Sequence, residues 1–302
     1  MESKCKKMYI EQLKKNKESL IKYLPFPLVF FLFMGFNYFA TINSDVSASD
    51  IIQMMIDTLG KNITFVLMII PLSFLCVILL LWVKYFHKQS ITSLTTARPK
   101  IDFKRVFFSF FLWAAILVTV ILIQYTISPQ DFVINFKLAP FLVLLVLAII
   151  LIPLQTSFEE YLFRGYLMQG LGLLTKNKWF PLLFTSISFG LLHIANPEVG
   201  AYGMQMMVFY IGTGLFLGII TLMDDGLELA LGFHAANNLV AAVLLTSNNS
   251  ALQTNAILEQ TSESMSFTEI YIQVLVVFPI LIFLFAKKYK WTDWKNKLTG
   301  KI

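Results

Sequence analysis

Three short clusters in this 302-residue chain carry groups that could do acid–base chemistry. They are Phe158-Glu159-Glu160-Tyr161-Leu162-Phe163-Arg164, Phe189-Gly190-Leu191-Leu192-His193 and His234-Ala235-Ala236-Asn237-Asn238. Each lies inside an apolar run, where an ionisable side chain is expensive to keep and points to function. Neighbours on a helix differ by about 100°, so Glu159 and Glu160 face different ways. Glu160 and Arg164, four residues apart, can form an ion pair, which leaves Glu159 to face a cavity and act as general base toward water. His193 could orient that water. His234 and Asn238 lie one helical turn apart, point the same way and could donate hydrogen bonds to a developing oxyanion. Together these parts describe hydrolysis of an amide bond by activated water. Taken singly, each has a structural reading: a Glu–Arg pair as glue, a buried histidine as a packing residue, His234 with Asn238 as an interhelical hydrogen bond. Their conjunction favours chemistry. Phe189 is expected to shape the site, and His87, in a basic loop, to be an ordinary surface residue.

The elements that must position these groups are long apolar runs. Hydrophobic residues make up 57% of the chain and charged residues 14%, with a mean hydropathy of +0.71, whereas soluble domains are about a quarter charged. Runs of about 18 or more apolar residues match the ~30 Å hydrocarbon thickness. Eight spans are expected, at about 24–42, 63–86, 105–127, 139–174, 179–195, 204–222, 226–245 and 268–286. This makes an all-α polytopic membrane protein with a basic N-terminal tail (1–23), a transmembrane domain (24–286) and a basic C-terminal tail (287–302). The run from Pro140 to Leu174 would be about 52 Å long as one straight helix, so Pro153 is expected to kink it, with Gly165, Gly170 and Gly172 as later weak points. Measured along straight helices from the nearest turn, the three clusters reach comparable depths, about 22–24 Å for Glu159 and Glu160, about 22 Å for His193 and about 14–20 Å for His234 and Asn238.

The charge pattern sets orientation and excludes other classes. Most of the 24 Lys and Arg lie in the two tails and one loop, which by the positive-inside rule puts both termini in the cytoplasm. The acidic turn Asp224-Asp225 dissents. No basic face interleaved with exposed aromatics argues for nucleic acid. Cys5 and Cys76 form no CxxC pair and are not expected to bridge. The polar start has no early apolar h-region, so a retained first helix is expected rather than a cleaved signal. With 21 Lys to 3 Arg, a bacterial cell membrane is the expected location.

The three clusters, as Glu159-Glu160-xxx-Arg164, Phe189-xxx-His193 and His234-xxx-Asn238, resemble the EExxxR, FxxxH and HxxxN motifs of the CPBP family. These are the CAAX proteases and bacteriocin-processing enzymes, also called the Abi family and related to type II CAAX prenyl endopeptidase. The resemblance spans roughly residues 139–245, with no departure at a motif position. It implies an eight-helix intramembrane endopeptidase with a conical cavity. It implies that Glu159 and His193 activate water, that His234 and Asn238 stabilise the oxyanion, and that Glu160, Arg164 and Phe189 complete the site. The implied enzyme is of glutamate type, needs no cofactor and cuts a membrane-associated peptide or leader. A zinc enzyme is disfavoured because no HExxH is present. A proton-coupled transporter and a non-catalytic immunity or sensor-regulating protein are the other readings. The first lacks the expected inverted repeat. The second predicts that function survives loss of Glu159 and His193.

Overall fold

The computed structural model describes residues 8–15, 20–262 and 267–302. In chain order the α-helices are α1 Pro25–Ile42, α2 Ala48–Leu59, α3 Lys61–Leu81, α4 Ile91–Thr95, α5 Phe103–Ile127, α6 Leu138–Glu160 and α7 Met168–Thr175. They continue with α8 Trp179–Leu191, α9 Pro197–Tyr202, α10 Met206–Asp224, α11 Glu228–Leu244, α12 Phe267–Ile272, α13 Phe278–Tyr289 and α14 Trp294–Thr299. Among the described residues six stretches are long and apolar enough to cross a membrane: Pro25–Ile42, Lys61–Phe86, Phe103–Ile127, Leu138–Thr175, Met206–Asp224 and Thr268–Tyr289. The protein is therefore an all-α polytopic membrane protein. The two remaining expected spans are the shorter apolar helices Trp179–Leu191 and Glu228–Leu244.

Local chemistry sets the boundaries. Pro25 opens α1, a position where a missing N–H costs nothing. The Ser47 side chain caps α2 by accepting from Asp50 N, and Asp102 caps α5 by accepting from Lys104 N. Gly60, at φ 81°, separates α2 from α3 in a conformation that other residues avoid. The long fourth run does not break at Pro153, which α6 accommodates. Its departure from α-helical bonding falls later, in a π-helical segment at Tyr161–Leu167 directly after the two glutamates. Such segments recur at functional sites.

In the bundle α11 packs against α5 and α6, α3 against α6, and α10 against α8. Small residues set the closest approaches, as expected where lipid supplies no hydrophobic drive. A Cβ on Gly214 would lie 2.6 Å from Ser186 O, so a side chain there would force α10 away from α8. Away from the termini, short strands β1 Phe132–Ile134, β2 Leu245–Ser247 and β3 Leu258–Gln260 form a sheet in the order β1-β3-β2. β3 pairs antiparallel with β1 and parallel with β2. Strands of only three residues carry too little alternation to be read in advance.

The opposite face carries the described N-terminal residues and the C-terminal tail, and here two expectations change. Residues 9–13 do not trail in solvent, because Tyr9, Ile10 and Leu13 are buried against the bundle. The Tyr9 hydroxyl lies 2.6 Å from Leu94 O and 3.0 Å from Arg164 O. His87 is wholly buried. It stacks on Tyr23 at 3.9 Å, accepts from Trp82 Nε1 at 3.1 Å and lies 2.8 Å from the Tyr166 hydroxyl. The aromatic residues around it, not the basic ones of its own loop, decide its place. Cys76 is buried and unbridged, while Cys5 lies outside the described residues.

The acidic turn has a local explanation. Asp224 accepts from Arg98 Nη2 at 3.1 Å, from Arg105 Nη1 and from Trp291 Nε1 at 3.0 Å. Asp225 accepts from Tyr9 N at 3.0 Å and from Lys297 Nζ at 2.5 Å. Glu228 takes a second pair of bonds from Arg98, at 3.2 and 2.7 Å. Each acid is matched by a base from another segment, so the turn joins the α4–α5 loop, both tails and α10–α11. Asp224 is almost fully buried, and removing one member of a buried ion-pair network leaves charges uncompensated. Asp224→Ala is expected to lower stability in detergent by about 3 kcal/mol, read from denaturant or thermal unfolding, with Asp225→Ala, at a more exposed position, costing less.

Candidate active site

The π-helical segment, α8 and α11 meet around one ion pair. Arg164 Nη1 lies 2.9 Å from Glu160 Oε1, and both side chains are 0% exposed. Arg164 also donates through Nη2 to Gly214 O at 3.0 Å, and its guanidinium sits 4.3 Å from the centre of the Phe189 ring, within cation–π range. The expected roles of Glu160, Arg164 and Phe189 thus converge on one scaffold. His234 Nδ1 lies 2.8 Å from Glu160 Oε1. A carboxylate can only accept there, so Nδ1 carries the proton and Nε2 is turned away from Glu160.

Glu159, one residue earlier, faces a cavity of about 320 Å³. His193, His234 and Asn238 line the same cavity, so the structure brings together four residues from three distant segments. Glu160 and Arg164 do not line it. They stand behind His234. Glu159 Oε1 accepts from Gln155 Nε2. Its Oε2 is buried without a hydrogen bond among the described residues, 3.7 Å from His234 Nε2, too far for a bond. His193 lies in the turn just beyond α8 rather than inside a helix reaching residue 195. Its Nδ1 is 2.8 Å from Phe189 O. That carbonyl fixes the proton on Nδ1 and leaves Nε2 as an acceptor. The ring stacks on Tyr210 with centroids 4.5 Å apart.

A hydrogen-bond chain, of which only Glu159 and Asn238 are positions of the three motifs, sets the remaining orientations. Trp113 Nε1 donates to Asn237 Oδ1 at 3.2 Å, and Asn237 Nδ2 to Asn238 Oδ1 at 3.2 Å. Asn238 Nδ2 donates to Gln155 Oε1 at 3.1 Å, and Gln155 to Glu159. An amide NH₂ has two protons, so Asn238 keeps one for another acceptor. Sequence reasoning missed Gln155, Asn237, Trp113, Tyr210 and Glu198. Gln155 was within reach, since it stands one helical turn before Glu159, and Asn237 adjoins Asn238. Trp113 and Tyr210 sit in ordinary apolar runs and carry no signal. Glu198 also lines the cavity, and burial raises its carboxyl above the usual range.

Fold and site define a polytopic membrane protein with a buried glutamate–histidine cluster facing a closed-in cavity. Residues 136–240, which hold all three motifs, match the family described as type II CAAX prenyl endopeptidase Rce1-like. The chain is also 35% identical over 169 residues to the uncharacterized protein YyaK of Bacillus subtilis (strain 168), a match covering 56% of each protein. It thus spans about half the length of that relative. No solved structure matches the chain.

Gln155 joins Glu159 to Asn238, so its loss strands a carboxylate oxygen and an amide N–H together. Gln155→Leu is expected to destabilise the protein by about 2 kcal/mol. Combining it with Glu159→Ala should give less than the sum of the single effects, which a double-mutant cycle on unfolding free energies checks.

Proposed function

We propose that this protein is an intramembrane endopeptidase of glutamate type, acting on a membrane-associated peptide or leader segment. The observation that carries the reading is Glu159: one oxygen is fixed by Gln155 and the other is buried, unbonded and turned into a cavity shared with His193, His234 and Asn238. The Rce1-like match over 136–240 supports it.

In this reading a water in the cavity gives a hydrogen bond to His193 Nε2 and its proton to Glu159 Oε2. The hydroxide attacks the peptide carbonyl carbon, and the carbonyl π electrons move to the oxygen. The resulting oxyanion accepts from the unused Asn238 Nδ2 proton and from His234, whose Nε2 donates when the ring is cationic and Glu160 faces its other nitrogen. Collapse of the intermediate restores the carbonyl and breaks the C–N bond. The amine leaves with the proton held by Glu159. Water, peptide bond and proton then balance as a new carboxyl and a new amine. Glu160 and Arg164 position His234 and do not touch the reacting atoms. No step uses a metal. Bacteriocin, signalling or leader peptides, cut at the membrane of a bacterial cell with both termini in the cytoplasm, are the substrates and setting that fit this reading.

Comparing the peptides released by membranes that carry wild type and Glu159→Gln tests the proposal. The variant is expected to lower turnover about 10³-fold and His193→Ala about 10²-fold, with chelators leaving wild-type turnover unchanged. Equal cleavage by wild type and Glu159→Gln, or retained biological activity in a Glu159→Ala/His193→Ala double variant, contradicts it. The latter result would favour a non-catalytic immunity or regulatory protein.

A further inference from the structure

The cavity holds a second carboxylate that the hydrolytic chemistry leaves unused. Glu198 lies in α9, on the side away from the termini, before α10 begins. Its Oε1 accepts from Ala251 N at 2.8 Å, which ties the chain after β2 to the rim of the cavity. Its Oε2 is buried and accepts no hydrogen bond. No Lys or Arg lines the cavity, and whereas Glu159 has His234 Nε2 at 3.7 Å, Glu198 has no such partner there. Among the described residues Glu198 forms no ion pair. A buried carboxylate oxygen without a donor is costly, and a group held that way in a ligand-sized space suits an incoming donor. Tyr210 stacks on His193 and accepts from Asn196 Nδ2 at 3.3 Å, and its hydroxyl approaches the Glu198 carboxylate without closing a hydrogen bond to Oε2. Its ring is a wall that tolerates a cation.

We propose that Glu198 binds a lysine or arginine side chain of the peptide, so that the protein selects substrates carrying a basic residue at a fixed distance from the bond brought to Glu159. This rests on the endopeptidase reading for its substrate. The approach fits the architecture: no residue of the terminal segments lines the cavity, whereas Ser250, Ala251 and Leu252 do. The peptide's basic residue therefore lies toward the face opposite the termini. Holding the 248–252 segment is a structural role for Oε1 alone. It leaves Oε2 unexplained.

The test uses the full-length Glu159→Gln protein in nanodiscs, so that nothing is cut. The probes are fluorescent leucine–alanine peptides in which one position at a time is either lysine or norleucine, which lacks only the amino group. At one position lysine is expected to bind about tenfold more tightly than norleucine. Adding Glu198→Gln, which keeps an oxygen for Ala251 N, should erase that difference, and adding Glu198→Asp should restore part of it. The proposal is overturned if no position distinguishes lysine from norleucine, or if the preference survives Glu198→Gln unchanged. Failure of the wild type to cleave any of these peptides would count against the endopeptidase reading and is scored separately from lysine discrimination.

Discussion

The buried Glu160–Arg164 pair is the interaction on which the rest of the site depends. Two charges removed from water are a liability unless their remaining donors and acceptors are met. Arg164 answers with three partners, the Glu160 carboxylate, the Gly214 carbonyl and the Phe189 ring, while its Nε and Glu160 Oε2 stay without a hydrogen bond. Those contacts come from α6, α10 and α8, and His234 brings α11 to the same carboxylate. Four helices are therefore registered against one another by a single polar knot. The bare backbone at Gly214 lets α10 approach closely enough to present its carbonyl. With Glu160 committed to the knot, the roughly 100° step to its neighbour aims Glu159 at the cavity. The adjacent carboxylates thus have different fates, one holding the architecture and one facing open space.

Much of this was legible in the sequence because hydrocarbon imposes simple rules. Apolar runs with few charges have one good use in a membrane, and the starts of α1, α6 and α8 fall within one residue of where composition places them. The i,i+4 spacing of Glu160 and Arg164 and the one-turn spacing of His234 and Asn238 follow from helix geometry alone. What spacing cannot show is which residues of different helices touch. Trp113 donates to Asn237 across 124 positions, and nothing in the run around Trp113 sets it apart. His87 was misread for the same reason: its own loop is basic, while its partners Tyr23 and Tyr166 are far away in sequence. The π-helical segment was foreshadowed only by Gly165 as a later weak point, because proline is the conspicuous helix breaker and that segment contains no residue forbidden in an α-helix.

The two faces of the molecule are built on different physics. At the face of the termini, acids and bases from four segments neutralise one another around Asp224, Asp225 and Glu228, and the acidic turn that looked out of place is matched charge by charge. On the other side of the bundle, Glu159 and Glu198 face a cavity that no Lys or Arg lines, with His234 beside Glu159. The acids of the first face are met charge by charge, whereas each of these two keeps a buried oxygen without a hydrogen bond. The Rce1-like match from 136 to 240 contains the polar knot and the neighbouring residues Glu159, His193 and Asn238 that face the cavity. α1 and α3 add apolar walls to the cavity, and the segment after α11 adds its rim.

The most direct test of this account is an experimental structure of the protein with a statine-type peptide, whose tetrahedral hydroxyl carbon mimics the hydrated peptide bond. The account predicts that hydroxyl within about 3 Å of Glu159 Oε2 and of a donor from His234 or Asn238, with Glu160 still bonded to Arg164 and His234. A peptide bound elsewhere, or a hydroxyl held by Glu160 with Glu159 turned away, would contradict it.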